Sequence, residues 1–197
     1  MNFRELLNRE FPLTPVQLDQ LSQHYELLKQ WNKKMNLTRI TSVEDVVHFH
    51  YCESLFLAAA LPQGCLKIAD VGTGAGFPGI PVAVSRAEFT VTLVESNKRK
   101  SVFLVEASRG LANTVVVPEA ASEISGGYDW VVARAVRPQE VLSLTISKNF
   151  AILMSERELI DLPPPISVAK TPWGDHRVLA MFHVEHDRID QTQSPST

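Results

Sequence analysis

Asp70-Val71-Gly72-Thr73-Gly74-Ala75-Gly76-Phe77-Pro78-Gly79-Ile80-Pro81 follows an apolar run at 66–69 that reads as a buried strand, and it ends where a short helix can begin. Glycines at alternate positions let the backbone turn through φ > 0 and leave no Cβ to hold a ligand away. Such a turn between strand and helix marks a nucleotide-type site. Gly74 to Gly79 also satisfies G-x-G-x-x-G, so a dinucleotide competes for it, and that fingerprint alone does not decide. A pyrophosphate must be cradled by backbone N–H groups at a helix N-terminus. Pro78 and Pro81 remove two such donors, and Asp70 brings a carboxylate close to the turn. Both features suit a ligand with a cationic amino-acid end and no phosphate, namely S-adenosylmethionine. The next strand, 89–94, ends at Glu95, an acid suited to ribose hydroxyls in either cofactor.

Around this turn the chain reads as one α/β unit with a helical preface. At 197 residues it can bury a substantial core. Thr14-Pro15-Val16-Gln17 is a capping-box start with proline at the first helical position. Leu18, Leu21, Tyr25, Leu28, Trp31 and Met35 then recur at helical spacing. Thr41-Ser42-Val43-Glu44 opens a second helical stretch to about Leu61. Strands are expected at 66–71, 89–94, 113–117, 130–133 and 150–154, with helices at 79–86, 97–111 and 138–147 between them. A closing strand is expected at 177–184, and Pro163-Pro164-Pro165 reads as a surface loop. This alternation predicts a doubly wound, mostly parallel Rossmann-like sheet with ligands at the carboxyl ends of its strands. The expected division is a helical extension over 1–64, a cofactor-binding domain over 65–186 and a frayed polar tail over 187–197.

Composition narrows the partners. Cys52 and Cys65, the only two cysteines, cannot make a disulfide framework and read as reduced thiols. No apolar run approaches membrane-spanning length, and Met1-Asn2-Phe3-Arg4-Glu5 is charged where a signal peptide turns apolar. A cytoplasmic protein with no membrane partner is expected. The net charge of -3 argues against gripping bare nucleic acid by electrostatics alone. Basic residues are nevertheless bunched: Lys29, Lys33, Lys34 and Arg39 lie in an acid-free stretch, and Lys98-Arg99-Lys100 forms a second cluster. His48, His50 and Cys52 stand two apart, so on an α-helix neighbours in this series point about 200° from each other, and no metal site is expected. His183-Val184-Glu185-His186 is equally ill-spaced for zinc.

These residues together resemble the bacterial small-subunit ribosomal RNA guanine-N7 methyltransferases, also known as the glucose-inhibited division protein B family. The resemblance rests on Asn36-Leu37-Thr38, His50 with Glu53-Ser54, the run from Asp70 to Pro81, Glu95, Arg99-Lys100, Phe103-Leu104, Arg134-Ala135 and His176-Arg177. It implies an S-adenosylmethionine pocket built from Asp70, Gly72, Gly74, Gly76, Phe77, Glu95, Ser96 and Asn97. Ala121 and Ser122 reach the adenine in this reading, and Arg134 faces the reaction cleft as the catalytic residue. The implied substrate is 16S rRNA, within the small ribosomal subunit, held through Lys33, Lys34, Arg39, His50, Lys98 and Arg99. Phe49 departs from the family's usual arginine, and Met154-Ser155 from its usual Lys-Gly pair; both losses remove positive charge.

The residues near the fourth strand also constrain the chemistry. Arg134-Ala135-Val136-Arg137-Pro138 lacks the polar-Pro-Pro-aromatic run suited to an exocyclic amine, and neither cysteine lies where a pyrimidine nucleophile belongs. Guanine N7 carries an in-plane lone pair and no proton, so it needs positioning rather than a base, and an arginine can read O6. A nicotinamide-dependent oxidoreductase using the same turn is the alternative enzyme. A non-catalytic, cofactor-binding ribosome assembly factor is the alternative without turnover.

Overall fold

The structure is a computed structural model, and it describes residues 1–185. The tail expected over 187–197 lies outside the described residues, as does residue 186. Helices α1 (Phe3–Glu10), α2 (Pro15–Met35), α3 (Val43–Val46) and α4 (Glu53–Ala60) form the preface, with a π-helical segment over Val47–Cys52 between the last two. Strands β1 (Lys67–Val71), β2 (Thr90–Val94), β3 (Thr114–Val117), β4 (Trp130–Arg134), β5 (Asn149–Ser155), β6 (Ser167–Lys170) and β7 (Arg177–His183) make one sheet. Between them run α5 (Gly79–Ser85), α6 (Lys98–Ala107) and α7 (Pro138–Leu142), and a 3-10 turn over Glu156–Leu159 follows β5.

The strand order is β3-β2-β1-β4-β5-β7-β6, with β1 to β5 parallel and β7 antiparallel to both its neighbours. The order reverses between β1 and β4, so the carboxyl ends of these two strands flank the crevice where such sheets bind ligands. Successive residues of each strand serve opposite faces. Ile68, Val91, Leu93, Val132 and Leu153 join one core, while Ala69, Val71, Val94, Val131 and Phe150 join the other.

The first of these cores also takes in Leu21, Tyr25 and Leu28 of α2, Tyr51 of the π segment and Leu57 of α4. The extension is therefore bound into the same hydrophobic core as the sheet. Thr14 caps α2 in a full capping box with Gln17, as its sequence predicts. The second helical stretch is capped by Ser42, which accepts from Asp45 N–H, one residue later than the Thr41 pattern suggests. Arg86, just beyond α5, donates to the carbonyls of Ala58, Leu61 and Pro62, and so satisfies acceptors left open where α4 ends.

Candidate cofactor and reaction site

The glycine turn is held from several directions. Gly72, Gly74 and Gly76 all have positive φ, at 67°, 60° and 87°. A Cβ on Gly72 would stand 2.7 Å from Val136 Cγ2, and one on Gly76 would stand 2.5 Å from Ile80 Cδ1. Gly74 is open, with nothing nearer than 3.8 Å to such an atom, so its side of the turn is free for a ligand. Every backbone N–H from Gly72 to Val82 except that of Ala75 already donates within the protein. Gly74 N–H goes to Glu95 Oε2 (3.0 Å), Gly79 N–H to Asp70 Oδ2 (2.7 Å), and the others to backbone carbonyls. The N-terminus of α5 thus has no free donors to cradle a pyrophosphate, and the two prolines are only part of the reason.

A cavity of about 450 Å³ opens beside the turn, at the ends of β1 and β2. Val71, Val94, Val136, Val141 and Leu144 give it apolar walls, with polar groups from Ser96 and Ser122 and the acids Glu119 and Glu140 around it. Gly72, Ser96, Ala121 and Ser122, which the sequence assigns to the cofactor, all line this space. Glu95 sits at its margin with both carboxylate oxygens engaged, Oε1 accepting from Asn97 N–H at 2.9 Å and Oε2 from Gly74. Asn97 spends its side-chain oxygen on the N–H groups of Arg99 and Lys100, capping α6.

Three assigned residues lie elsewhere, for reasons of packing. Asp70 is fully buried beneath the turn, outside the cavity, where its Oδ2 caps α5. Burial pushes its carboxyl up to about 7, against the pull of the Thr73 hydroxyl, the Gly79 N–H and Arg134. Phe77 is buried in an aromatic cluster and backs the turn without lining the cavity: its ring stacks on His50 at 4.7 Å and meets Tyr51 edge-on at 5.0 Å. His50, expected at RNA, is enclosed between the preface and the sheet. Its Nδ1 accepts from Arg134 (2.7 Å), so its proton sits on Nε2, which donates to Thr38 Oγ1 (2.8 Å). Burial and the Arg134 charge push its pKa down to about 3, so the ring is neutral.

Arg134 ends β4 half-buried, with its guanidinium 5.2 Å from the centre of the Phe77 ring. One terminal nitrogen donates to both His50 and the Phe49 carbonyl. Burial lowers its pKa to about 10, while Glu53 and Asp70 help to retain the charge. Next to it, Ala135 adopts φ 57°, a left-handed conformation that costs a non-glycine residue energy. Beyond this, Arg177 makes a two-pronged ion pair with the fully buried Glu53, tying β7 to α4.

Asp70 Oδ1, Thr73 Oγ1 and Arg134 Nε are the buried side-chain polar atoms without a hydrogen-bond partner among the described residues. All three come from the ends of β1 and β4 and the turn between β1 and α5, so the deficit is gathered at the switch point. The Thr73 hydroxyl is close enough to act on the Asp70 carboxyl without making a well-formed bond to it. Unsatisfied groups concentrated at one place mark a site awaiting a ligand or water. An apolar slot for a flat base, an acid at the end of β2, a turn with an open glycine and this unsatisfied cluster fit an uncharged nucleoside carrying a cationic amino-acid end.

Trp31 of α2 packs edge-on against Phe103 of α6 at 5.7 Å, while Gln23 and Leu27 share a cleft with Glu106 and Ala107. The two helices therefore run antiparallel. The exposed Lys33 and Lys34 at the end of α2 thus share one end of the molecule with the exposed Lys98 and Arg99 at the start of α6. Arg39 is exposed on the segment that follows α2.

Residues 17–155 match the family model of rRNA small subunit methyltransferase G. The chain belongs to this family. It is 37% identical over 143 residues to the ribosomal RNA small subunit methyltransferase G of Desulforamulus reducens, covering 68% of this chain and 60% of that one. It is 42% identical over 153 residues to the protein of the same name from Halalkalibacterium halodurans, covering 72% and 63%. The chain thus spans less than two thirds of the length of these relatives. A SAM-dependent methyltransferase from Aquifex aeolicus shares the fold with a TM-score of 0.52 at 17% identity, over 70% of this chain and 93% of that one. M. capricolum TrmK, solved with S-adenosylhomocysteine, aligns with a TM-score of 0.51 at 12% identity, over 66% and 67%. Among the described residues no helix is long and apolar enough to cross a membrane.

Proposed function

We propose that this chain binds S-adenosylmethionine and methylates N7 of a guanine in 16S rRNA, as a cytoplasmic enzyme acting on the small ribosomal subunit. The observation that carries this reading is family membership combined with a glycine turn whose helix end has no donors for a pyrophosphate. The cofactor supplies an electrophilic methyl group on a sulfonium. The chain's own residues do the rest. Val71, Val94, Val136 and Leu144 would hold the adenine between apolar walls, with Ser96, Ala121 and Ser122 as the groups alongside. Glu95 uses two of its lone pairs on the backbone and keeps others for ribose hydroxyls. Asp70 and Phe77 support the turn from below and behind.

In-line methyl transfer asks the protein mainly for alignment and exclusion of water. N7 carries no proton, so no base is required. The two buried histidines nearest the turn support this: His24 and His50 both have hydrogen-bond partners on both ring nitrogens, and burial holds both neutral. Arg134 has donors left after serving Phe49 and His50, and these suit guanine O6. Lys33, Lys34, Arg39, Lys98 and Arg99 supply local phosphate contacts on a chain too acidic to hold free RNA by charge alone, so a structured ribonucleoprotein is the favoured substrate.

N7 methylation places a positive charge on the base and labilises its ring. Reduction and aniline cleavage of ribosomal RNA, from cells with and without the gene, therefore tests the assignment. A cleavage site lost with the gene and restored by the wild-type protein supports it, and identical patterns overturn it. Cofactor binding without any such site would instead indicate the assembly-factor alternative.

A further inference from the structure

His24, which lies in the middle of α2 and has no part in the family resemblance, is wired directly to the glycine turn. Its Nε2 lies 3.0 Å from the carbonyl oxygen of Ala75, the residue between Gly74 and Gly76. Its Nδ1 lies 2.9 Å from the Tyr51 hydroxyl. A carbonyl can only accept, so Nε2 carries the proton; Nδ1 then accepts, and the Tyr51 hydroxyl donates. The chain of donors therefore has one direction, from Tyr51 through His24 to Ala75. All three residues are buried, and burial keeps the ring neutral by lowering its pKa to about 4.

The surroundings make this link matter. Glu95 and Asp70 hold the turn from within the sheet domain. Among the described residues, His24 to Ala75 is the one hydrogen bond from residues 1–64 to residues 72–79. Three alternate positions of that turn, 72, 74 and 76, are glycines with positive φ, the most permissive backbone a chain can have. A permissive turn loses affinity unless something fixes its shape before the ligand arrives. The imidazole also packs against Phe77 at 5.1 Å and lies 3.4 Å from where a Cβ of Gly76 would stand, so it fills the space behind the turn as well as bonding to it. Tyr51 and His50 are neighbours on the π segment, so one helical turn holds Arg134 through His50 and the glycine turn through Tyr51 and His24.

We propose that His24 is a positioning residue for cofactor binding, holding the Gly74–Gly76 turn in its ligand-ready shape through the Ala75 carbonyl and so coupling helix α2 to cofactor affinity. This rests on the reading of the turn as the S-adenosylmethionine cradle. Replacing the ring by an apolar one leaves a buried carbonyl unpaired, a loss that corresponds to roughly a five- to thirty-fold change in an equilibrium constant.

The experiment is calorimetric titration of the whole chain with S-adenosylhomocysteine, on the wild type, His24→Phe and His24→Gln. The glutamine amide N–H can reach the place of Nε2. His24→Phe is expected to bind about ten-fold more weakly, and His24→Gln to recover most of that loss. In the unaltered protein, the nitrogen-attached proton of the His24 Nε2 resonance should move as the ligand saturates. A structural histidine alone would lower the melting temperature of both variants without separating their affinities. Wild-type affinity in His24→Phe, or a resonance unmoved at saturation, overturns the inference. Should His24→Phe fail to fold, the resonance of the unaltered protein decides. Absence of binding by the wild type would overturn the cradle reading, and this inference with it.

Discussion

Asp70→Asn is expected to stabilise this protein in neutral and alkaline solution, and to do so increasingly as the pH rises from 4 to 7. The carboxyl is fully enclosed, and one of its oxygens has no hydrogen-bond partner. Burial lifts its pKa from 3.8 to about 7. Across that interval the folded protein keeps a proton that the unfolded chain has released, so stability falls as pH rises, and the full penalty applies above pH 7. A shift of about three units corresponds to roughly 4 kcal/mol at its upper limit. The asparagine carries no such charge, and its amide oxygen can still accept from Gly79 N–H. His24 and His50, with pKa values lowered to about 4 and about 3, act in the opposite sense: their contribution is intact above pH 6.5 and is lost as the solution becomes more acidic. Both titrate in wild type and variant alike, so they cancel in the difference. Urea denaturation followed by tryptophan fluorescence between pH 4 and 8 measures it. The stability difference between variant and wild type should grow by about 2–4 kcal/mol between pH 4 and 7 and then level off. A difference constant to within about 0.5 kcal/mol, or one that shrinks as pH rises, would refute the account of Asp70 as a buried cap.

Arg177→Ala leaves the fully buried Glu53 carboxylate without its partner and should cost about 3–5 kcal/mol, read as a fall in the urea midpoint at pH 7. Gly72→Ala drives a methyl group into Val136 beside the cavity, at a position already strained by its positive φ; S-adenosylhomocysteine affinity should fall at least about ten-fold, with the circular dichroism spectrum retained. Ala135→Gly removes the cost of a left-handed alanine and should raise the melting temperature, by up to roughly 1 kcal/mol in stability; a lowered value would show that the strain is offset elsewhere.

The parts of the fold written in local chemistry were legible. Thr14-Pro15-x-Gln17 marks the start of α2 to the residue, and the five parallel strands begin and end within about a residue of the expected bounds. Asn2 and Glu5 form a capping box for α1 with the same signature. β6 offered little to read, because an edge strand with four exposed residues has no alternation. The helix expected over 138–147 stops at Leu142: Leu144 N–H turns back to the Val141 carbonyl three residues earlier, and the segment beyond is held by Gly127 and Tyr128 at the Ile146 carbonyl. The helix expected to reach 111 ends at Ala107, and Gly110, with φ 94°, lies in the turn that follows. In the site, Gly72, Ser96, Ala121 and Ser122 come together as their strand-end positions require. Asp70, Phe77 and His50 read as contacts because sequence does not reveal depth: Phe77 is covered by the preface, and His50 by Phe77 and Arg134, partners far away along the chain. The signal for His24 was present all the same. A polar ring between Leu21 and Leu28, on the stripe that also holds Tyr25, needs a partner inside the core.

The shared core has a consequence for synthesis. Trp31 packs on Phe103, so the face of α2 that meets α6 cannot be covered until 72 further residues have been joined. At translation rates of about 5–20 residues per second, that face waits roughly 4–14 seconds, although Phe3 of α1 can stack on Tyr25 meanwhile. During this interval the nascent chain presents a half-covered helix, and the chaperones that meet it see the preface before they see any strand of the sheet that completes it.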